Sequence, residues 1–175
     1  MKYLKDDLSN NNNDSQIYDY ILTKTLIKSG LQCQKKLWLD FHEPEKEDNN
    51  TSIYSGNIFG KKLRELDKSG LDLSKLQNEE ALEETKKALK SKECKIIYEG
   101  AFIFHDTLIR PDVLKRSKDG WELWEAKAVK VEDETPENIK EIFIKDIAIQ
   151  YYVVSSCDVN ITNAKLVCID DKFIY

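Results

Sequence analysis

Two short strings carry most of what this chain could do chemically: Arg110-Pro111-Asp112 and, further on, Glu125-Ala126-Lys127. Two carboxylates and a lysine are groups that can hold a divalent cation and act beside it. Side chains alternate across a strand, so Glu125 and Lys127 share a face if residues 121–129 are extended. If His105-Asp106 is a two-residue turn, Phe104 faces Thr107 and Glu99 stands opposite Asp112. If residues 117–120 form a four-residue loop, Arg116 faces Trp121, which sets Asp112 opposite Glu125 and Arg110 opposite Lys127. Glu99, Asp112 and Glu125 then form one row, with neighbouring Cβ atoms about 4.5–5.5 Å apart. The same face carries Ile97, Ala101, Ile103, Leu108, Leu114, Trp121 and Leu123, so it is the buried side. Carboxylates in such a row are protonated or hold a cation. An all-oxygen set favours Mg²⁺ or Mn²⁺ over zinc. A register shifted by two residues would instead leave Glu125 and Lys127 as a surface ion pair, although the parity of Asp112 with that pair survives the shift.

A helix after these strands adds to the pattern. Thr135-Pro136-Glu137 supplies a cap, a first-turn proline and an acid, so a helix is expected from there to about residue 156. Gln150 lies at the centre of its apolar stripe of Ile139, Phe143, Ile147 and Val154, with Asp146 one turn earlier. An unpaired buried polar group costs roughly 1–3 kcal/mol, so both need partners. Gln150 is either a structural amide or part of a site.

These residues require an α/β scaffold. Residues 1–15, with their asparagine run, read as a mobile arm, and residues 16–175 as a single domain. Its helical lead-in spans 22–92 and its sheet-and-helix core 95–169. Thr23 caps a first helix that Gly30 ends, and residues 31–41 form a second that buries Leu31, Leu37, Trp38 and Phe41. Helices follow over 54–68 and from Asn78, the latter with Glu79 and Glu80 favoring its N-terminal dipole and Leu82, Thr85 and Leu89 buried. From Lys95 the period becomes two. Runs 95–104, 107–115 and 121–129 predict a three-stranded antiparallel meander within a central mixed sheet flanked by helices, completed by a strand over 164–169.

The ordered set resembles the PD-(D/E)xK nuclease superfamily, most closely the RecB-like branch that includes CRISPR-associated exonucleases. Leu31-Gln32-Cys33-Gln34-Lys35-Lys36-Leu37-Trp38-Leu39 is similar to the opening segment of that branch, and the run from Gly56 to Arg64 to its glycine-containing helix. The resemblance implies a restriction-endonuclease-like core and a metal-dependent nuclease. It implies Asp112, Glu125 and the Ala126 carbonyl as metal ligands, Glu99 as an accessory ligand, and Lys127 as the group that orients or deprotonates water. Gln150 would steady the site or contact nucleic acid. Three departures stand out. Leu63 lies near where the branch often has histidine, Val154 takes the tyrosine position of a Q-x-x-x-Y motif while Tyr151 and Tyr152 follow Gln150 at once, and Cys33 lacks the later cysteines that hold an iron–sulfur cluster in many relatives. No cluster is therefore expected within this chain; a downstream domain from elsewhere, or a protein partner, is one way to supply it.

The charge balance bears on partners. Lys plus Arg number 27 against 32 acids, a net charge of −5, which is not the footprint of a protein that coats nucleic acid nonspecifically. Lys24, Lys28, Lys35, Lys36, Lys61, Lys62 and Arg64 are either a local basic rim for nucleic acid or a solvated surface. Arg110 and Tyr151 join the expected nucleic-acid contacts. The four cysteines have no C-x-x-C spacing and read as free, mostly buried thiols. With no long apolar run and no apolar N-terminal signal, no membrane partner is expected and a cytoplasmic location is. The leading expectation is a Mg²⁺- or Mn²⁺-dependent nuclease acting on DNA. The alternative is a degenerate nuclease-fold module that binds nucleic acid or a protein without cutting.

Overall fold

A computed structural model describes residues 21–44, 51–130 and 141–169. The expected arm and the helix start at Thr135, Pro136 and Glu137 lie outside these residues. The lead-in begins with β1 (Leu22–Thr23) and α1 (Lys24–Gln32). The Thr23 hydroxyl caps α1 by accepting from the Leu26 N–H at 3.3 Å. Gly30 does not end this helix. Its place is set by packing, because a Cβ there would come within 3.1 Å of Leu37 on α2 (Gln34–His42). The break falls instead at extended Cys33, whose N–H donates to the Ser29 carbonyl at 2.9 Å. This close approach through Gly30 and Leu37 turns Leu31 and Trp38 outward, so neither is buried as the pattern led one to expect.

Helix α3 (Thr51–Leu66) and strand β2 (Leu71–Asp72) lead to α4 (Asn78–Lys90). Acids in the first turn of α4 and lysines in its last complement the helix dipole, and Ala81, Leu82, Thr85 and Ala88 form its buried face. The remaining elements are β3 (Ile96–Tyr98), β4 (Phe102–Phe104), β5 (Thr107–Ile109), β6 (Val113–Arg116), β7 (Trp121–Lys130), α5 (Glu141–Ser155) and β8 (Ile161–Ile169).

The fold is α/β, with a mixed five-stranded sheet ordered β2-β3-β6-β7-β8 and a second sheet ordered β1-β5-β4. The long hairpin expected over 95–115 is divided between the two sheets. Glu99 adopts a left-handed φ of 54° and Pro111 has no N–H to donate, so the ladder parts on both strands at the same level. Gly100 fits there because a Cβ would crowd Ile97 at 3.1 Å and Thr85 at 3.3 Å, and the Thr85 hydroxyl takes the Ala101 N–H at 2.9 Å. Register is nonetheless continuous across the break. Phe104 pairs with Thr107 and Ile97 with Leu114, and the Glu99 N–H donates to the Asp112 carbonyl at 3.2 Å. Arg116 pairs with Trp121 and Val113 with Trp124, which leaves Asp112 level with Glu125.

Both faces of the larger sheet are covered. Ile97, Leu114 and Leu123 join one apolar cluster with Leu82 of α4 and Val153 and Val154 of α5. Ile96, Tyr98 and Val113 pack with Leu63 of α3 on the other face. Each such fully buried side chain is worth about 1.5–3 kcal/mol, so the alternation of β6 and β7 is strongly held. Glu125, two residues beyond Leu123, is thereby turned into the layer shared with α5.

Candidate active site

Three elements each send a pair of polar side chains to one point. Strand β7 supplies Glu125 and Lys127, two residues apart on one face. Helix α5 supplies Asp146 and Gln150, and α1 supplies Lys24 and Lys28, each pair one turn apart. Glu125, Asp146 and Gln150 are 1%, 0% and 0% exposed, so their mutual contacts replace water entirely.

Glu125 is fully engaged. Its Oε1 accepts from Lys127 at 2.6 Å and Lys24 at 2.8 Å, and its Oε2 accepts from the Gln150 amide at 2.5 Å. Lys127 also lies 2.7 Å from Asp146 Oδ2, and Lys28 lies 3.0 Å from Oδ1. The Lys28 hydrogen bond goes to Oδ2 at 3.2 Å, so Asp146 Oδ1 has only the ion pair, and Gln150 Oε1 has no hydrogen-bond partner among the described residues. Burial raises the Glu125 pKa, but the ammonium groups of Lys24 and Lys127 more than offset it and hold the carboxyl below its ordinary value. Burial likewise works against the Asp146 charge, and hydrogen bonds from Lys127 and Lys28 outweigh it, so its pKa is also lowered. Lys127 shows the reciprocal balance: burial disfavours its charge, Glu125 and Asp146 restore it, and its pKa is raised.

Asp112 lacks such partners. Its Oδ2 accepts from the Ala126 N–H at 2.6 Å, and burial, with Glu125 close by, pushes its pKa up to about 7. Glu99 is raised too, first by burial, although Arg64 at 3.7 Å and Arg110 counter this. Glu99 stays level with Asp112 through their 3.2 Å backbone bond, although its left-handed backbone interrupts the strand alternation there. Among the described residues no three His, Cys, Asp or Glu side chains are gathered as a metal cluster would need. The oxygens that could hold a cation are those of Asp112 and Glu125 with the Ala126 carbonyl, a hard set of the kind Mg²⁺ and Mn²⁺ take while keeping waters in their other positions. The uncompensated charge at Asp112 fits such a cation.

These groups open on a cleft of about 570 Å³ lined by Lys24, Arg64, Glu99, Arg110, Asp112, Glu125, Ala126 and Lys127, with Gly56, Gly60 and Ser74 completing the wall. A Cβ at Gly56 would meet nothing within 4 Å, and one at Gly60 only the Arg64 guanidinium at 3.5 Å, so α3 leaves this side of the cleft wide.

The structure thus brings Asp112, Glu125, Ala126, Lys127 and Gln150 together, with Glu99 at the cleft wall. The expected nucleic-acid contacts are scattered. Lys35, Lys36, Lys61, Lys62 and Tyr151 are exposed and do not line the cleft, and Lys36 pairs with Asp40 at 3.0 Å. Arg64 does reach the cleft, pairing with Asp72 at 3.5 Å. Arg110 lines it as well, but its guanidinium is committed elsewhere, donating to the carbonyls of Leu73 at 2.6 Å, Leu76 at 3.0 Å and Glu99 at 3.1 Å. Its place is that of a backbone clamp. The cysteines are free thiols, with Cys33 exposed rather than buried. Lys24 and Lys28, read from sequence as either a basic rim or a solvated surface, stand at the centre, paired with Glu125 and Asp146 respectively. The helical stripe of α5 marked Asp146, but no local pattern marks where α1 docks.

No protein-family model matches the chain, and no curated protein and no solved structure is significantly similar to it.

Proposed function

We propose that this protein is a metal-dependent nuclease that hydrolyses phosphodiester bonds, with DNA as its first expected substrate, on a restriction-endonuclease-like core of the PD-(D/E)xK type, RecB-like branch. The observation that carries this reading is the convergence of Asp112, Glu125 and Lys127 on one open cleft, with Asp112 alone lacking an ammonium partner. The mixed sheet with helices against both faces is compatible with that core. A bound Mg²⁺ or Mn²⁺ would polarise the phosphodiester and lower the pKa of a coordinated water.

The residues around that position divide the remaining work. Asp112 and Glu125 present carboxylate oxygens, and the Ala126 N–H fixes the orientation of Asp112. Gln150 holds Glu125 Oε2 from behind. Asp146 anchors the Lys127 ammonium, which sets a positive charge beside the place where charge develops on phosphorus and can orient the attacking water. Arg64 supplies a second cation at the cleft wall for the nucleic-acid backbone.

Incubation of the purified protein with labelled single- and double-stranded DNA and Mg²⁺ or Mn²⁺ tests this. Cleavage is expected, with a loss on the order of 10³-fold for Lys127→Ala, since a preorganised charge at the reacting phosphate is worth several kcal/mol. Absence of cleavage of DNA, or undiminished cleavage by Lys127→Ala, would sink the reading.

One observation favours a second reading, a binding module on the same core that does not cut. Glu125 already has three donors, two of them ammonium groups that neutralise it, which leaves a single lone-pair site on Oε2 for a metal. Calorimetric titration with Mn²⁺ separates the two, because the module would take up no metal at Asp112 and Glu125.

A further inference from the structure

The inference that follows rests on the metal reading and concerns what opposes the metal at Glu125. A dication held by Asp112 and Glu125 would meet a carboxylate whose Oε1 already takes two ammonium donors and whose Oε2 takes one amide, so one lone-pair site is free and the ammonium charges oppose the metal. Gln150 is 0% exposed and is held by α5, its Nε2 also donating to the Asp146 carbonyl at 3.2 Å. Lys127 has a second carboxylate at 2.7 Å to retain it. Lys24 differs from both. Glu125 is its one ion-pair partner among the described residues, 24% of its side chain is exposed, and it lines the open cleft. It is also the first residue of α1, on a long unbranched stem that can swing without moving the backbone.

We propose that Lys24 is a built-in competitor for the divalent cation: its ammonium neutralises Glu125 while the metal is absent and opposes the metal's charge at that carboxylate until it swings away. Two consequences separate this from a merely structural ion pair. Loss of the Lys24 charge destabilises the metal-free protein, because a buried carboxylate loses a counter-ion. The same loss strengthens metal binding, because one of the two positive charges on Glu125 no longer opposes the cation. A residue that simply braced the site would weaken both.

The test compares wild type, Lys24→Met, Lys28→Met and Asp112→Asn by calorimetric titration with Mn²⁺, together with thermal unfolding in chelator and in excess Mn²⁺. Lys24→Gln replaces Lys24→Met if the latter does not fold. Lys24→Met is expected to bind Mn²⁺ about tenfold tighter than wild type, the scale of one partly screened charge pair. It should melt below wild type in chelator and gain more from Mn²⁺. Lys28→Met, whose pair is with Asp146, should change the affinity by less than about threefold. Asp112→Asn should lose binding. Equal or weaker Mn²⁺ affinity in Lys24→Met, with wild type binding normally, overturns the role of Lys24 and leaves the metal reading intact. No Mn²⁺ binding by any of the proteins, Lys24→Met included, overturns both.

Discussion

Asp112 is the carboxylate with the least to hold its charge, and its pKa of about 7 against an ordinary 3.8 has a consequence for stability. The folded state takes up the proton more readily than the unfolded chain, so protonation favours folding. That contribution is complete below about pH 4 and is lost as pH rises through about 7. In chelator, the melting temperature should fall by about 5 °C or more between pH 5 and pH 8, and Asp112→Asn should flatten most of this slope. An unchanged slope in the variant would assign the proton elsewhere. Much of this residue cluster was legible in the sequence. Two turns set the register that aligns Asp112 with Glu125, and a period of two puts Lys127 on the same face. A period of 3.6 brings Asp146 and Gln150 inward. Lys24 and Lys28 were not legible as central residues, because their place depends on how α1 lies across α5 and β7, which no neighbouring residue encodes.

At the scale of elements, the divided hairpin is what shapes the cleft. The β3–β4 and β5–β6 strands separate at Glu99 and Pro111, and Arg110 spans the gap to the Leu73 and Leu76 carbonyls in the segment before α4. Arg110→Ala removes all three of its carbonyl bonds and should cost about 2–4 kcal/mol in chemical denaturation. A reduced midpoint with unchanged affinity of the folded protein for DNA is the expected pattern; lost affinity at full stability would return Arg110 to the nucleic-acid interface. The sequence offered continuous strands here since 95–104 and 107–115 keep their alternation through the break. What it could not convey is that a left-handed Glu99 and a proline fall at the same level of the ladder. Gly30 illustrates the converse: a glycine at a helix end in the sequence is a contact point between two helices in space.

For the molecule as a whole, the net charge of −5 and the acids around the cleft argue against strong binding of DNA by charge alone. Among the described residues, only Lys24, Arg64, Arg110 and Lys127 bring positive charge to the cleft, and Glu99, Asp112 and Glu125 oppose it. Binding of a short DNA by Lys127→Ala, followed by fluorescence anisotropy, should therefore be at least about tenfold tighter in Ca²⁺ or Mn²⁺ than in chelator. Equal affinity in the two would place DNA away from the carboxylates. The position of α1 also has a consequence in time. Lys24 lies 101 residues before Glu125, and Lys28 lies 118 residues before Asp146. Helix α1 thus waits for residues made more than 100 positions later, and until that long loop closes Lys127 is the one ammonium among the described residues that Glu125 and Asp146 share. Loop closure at such separations is slow compared with helix or hairpin formation, so Lys24 and Lys28 join the site after the local β6–β7 hairpin has formed.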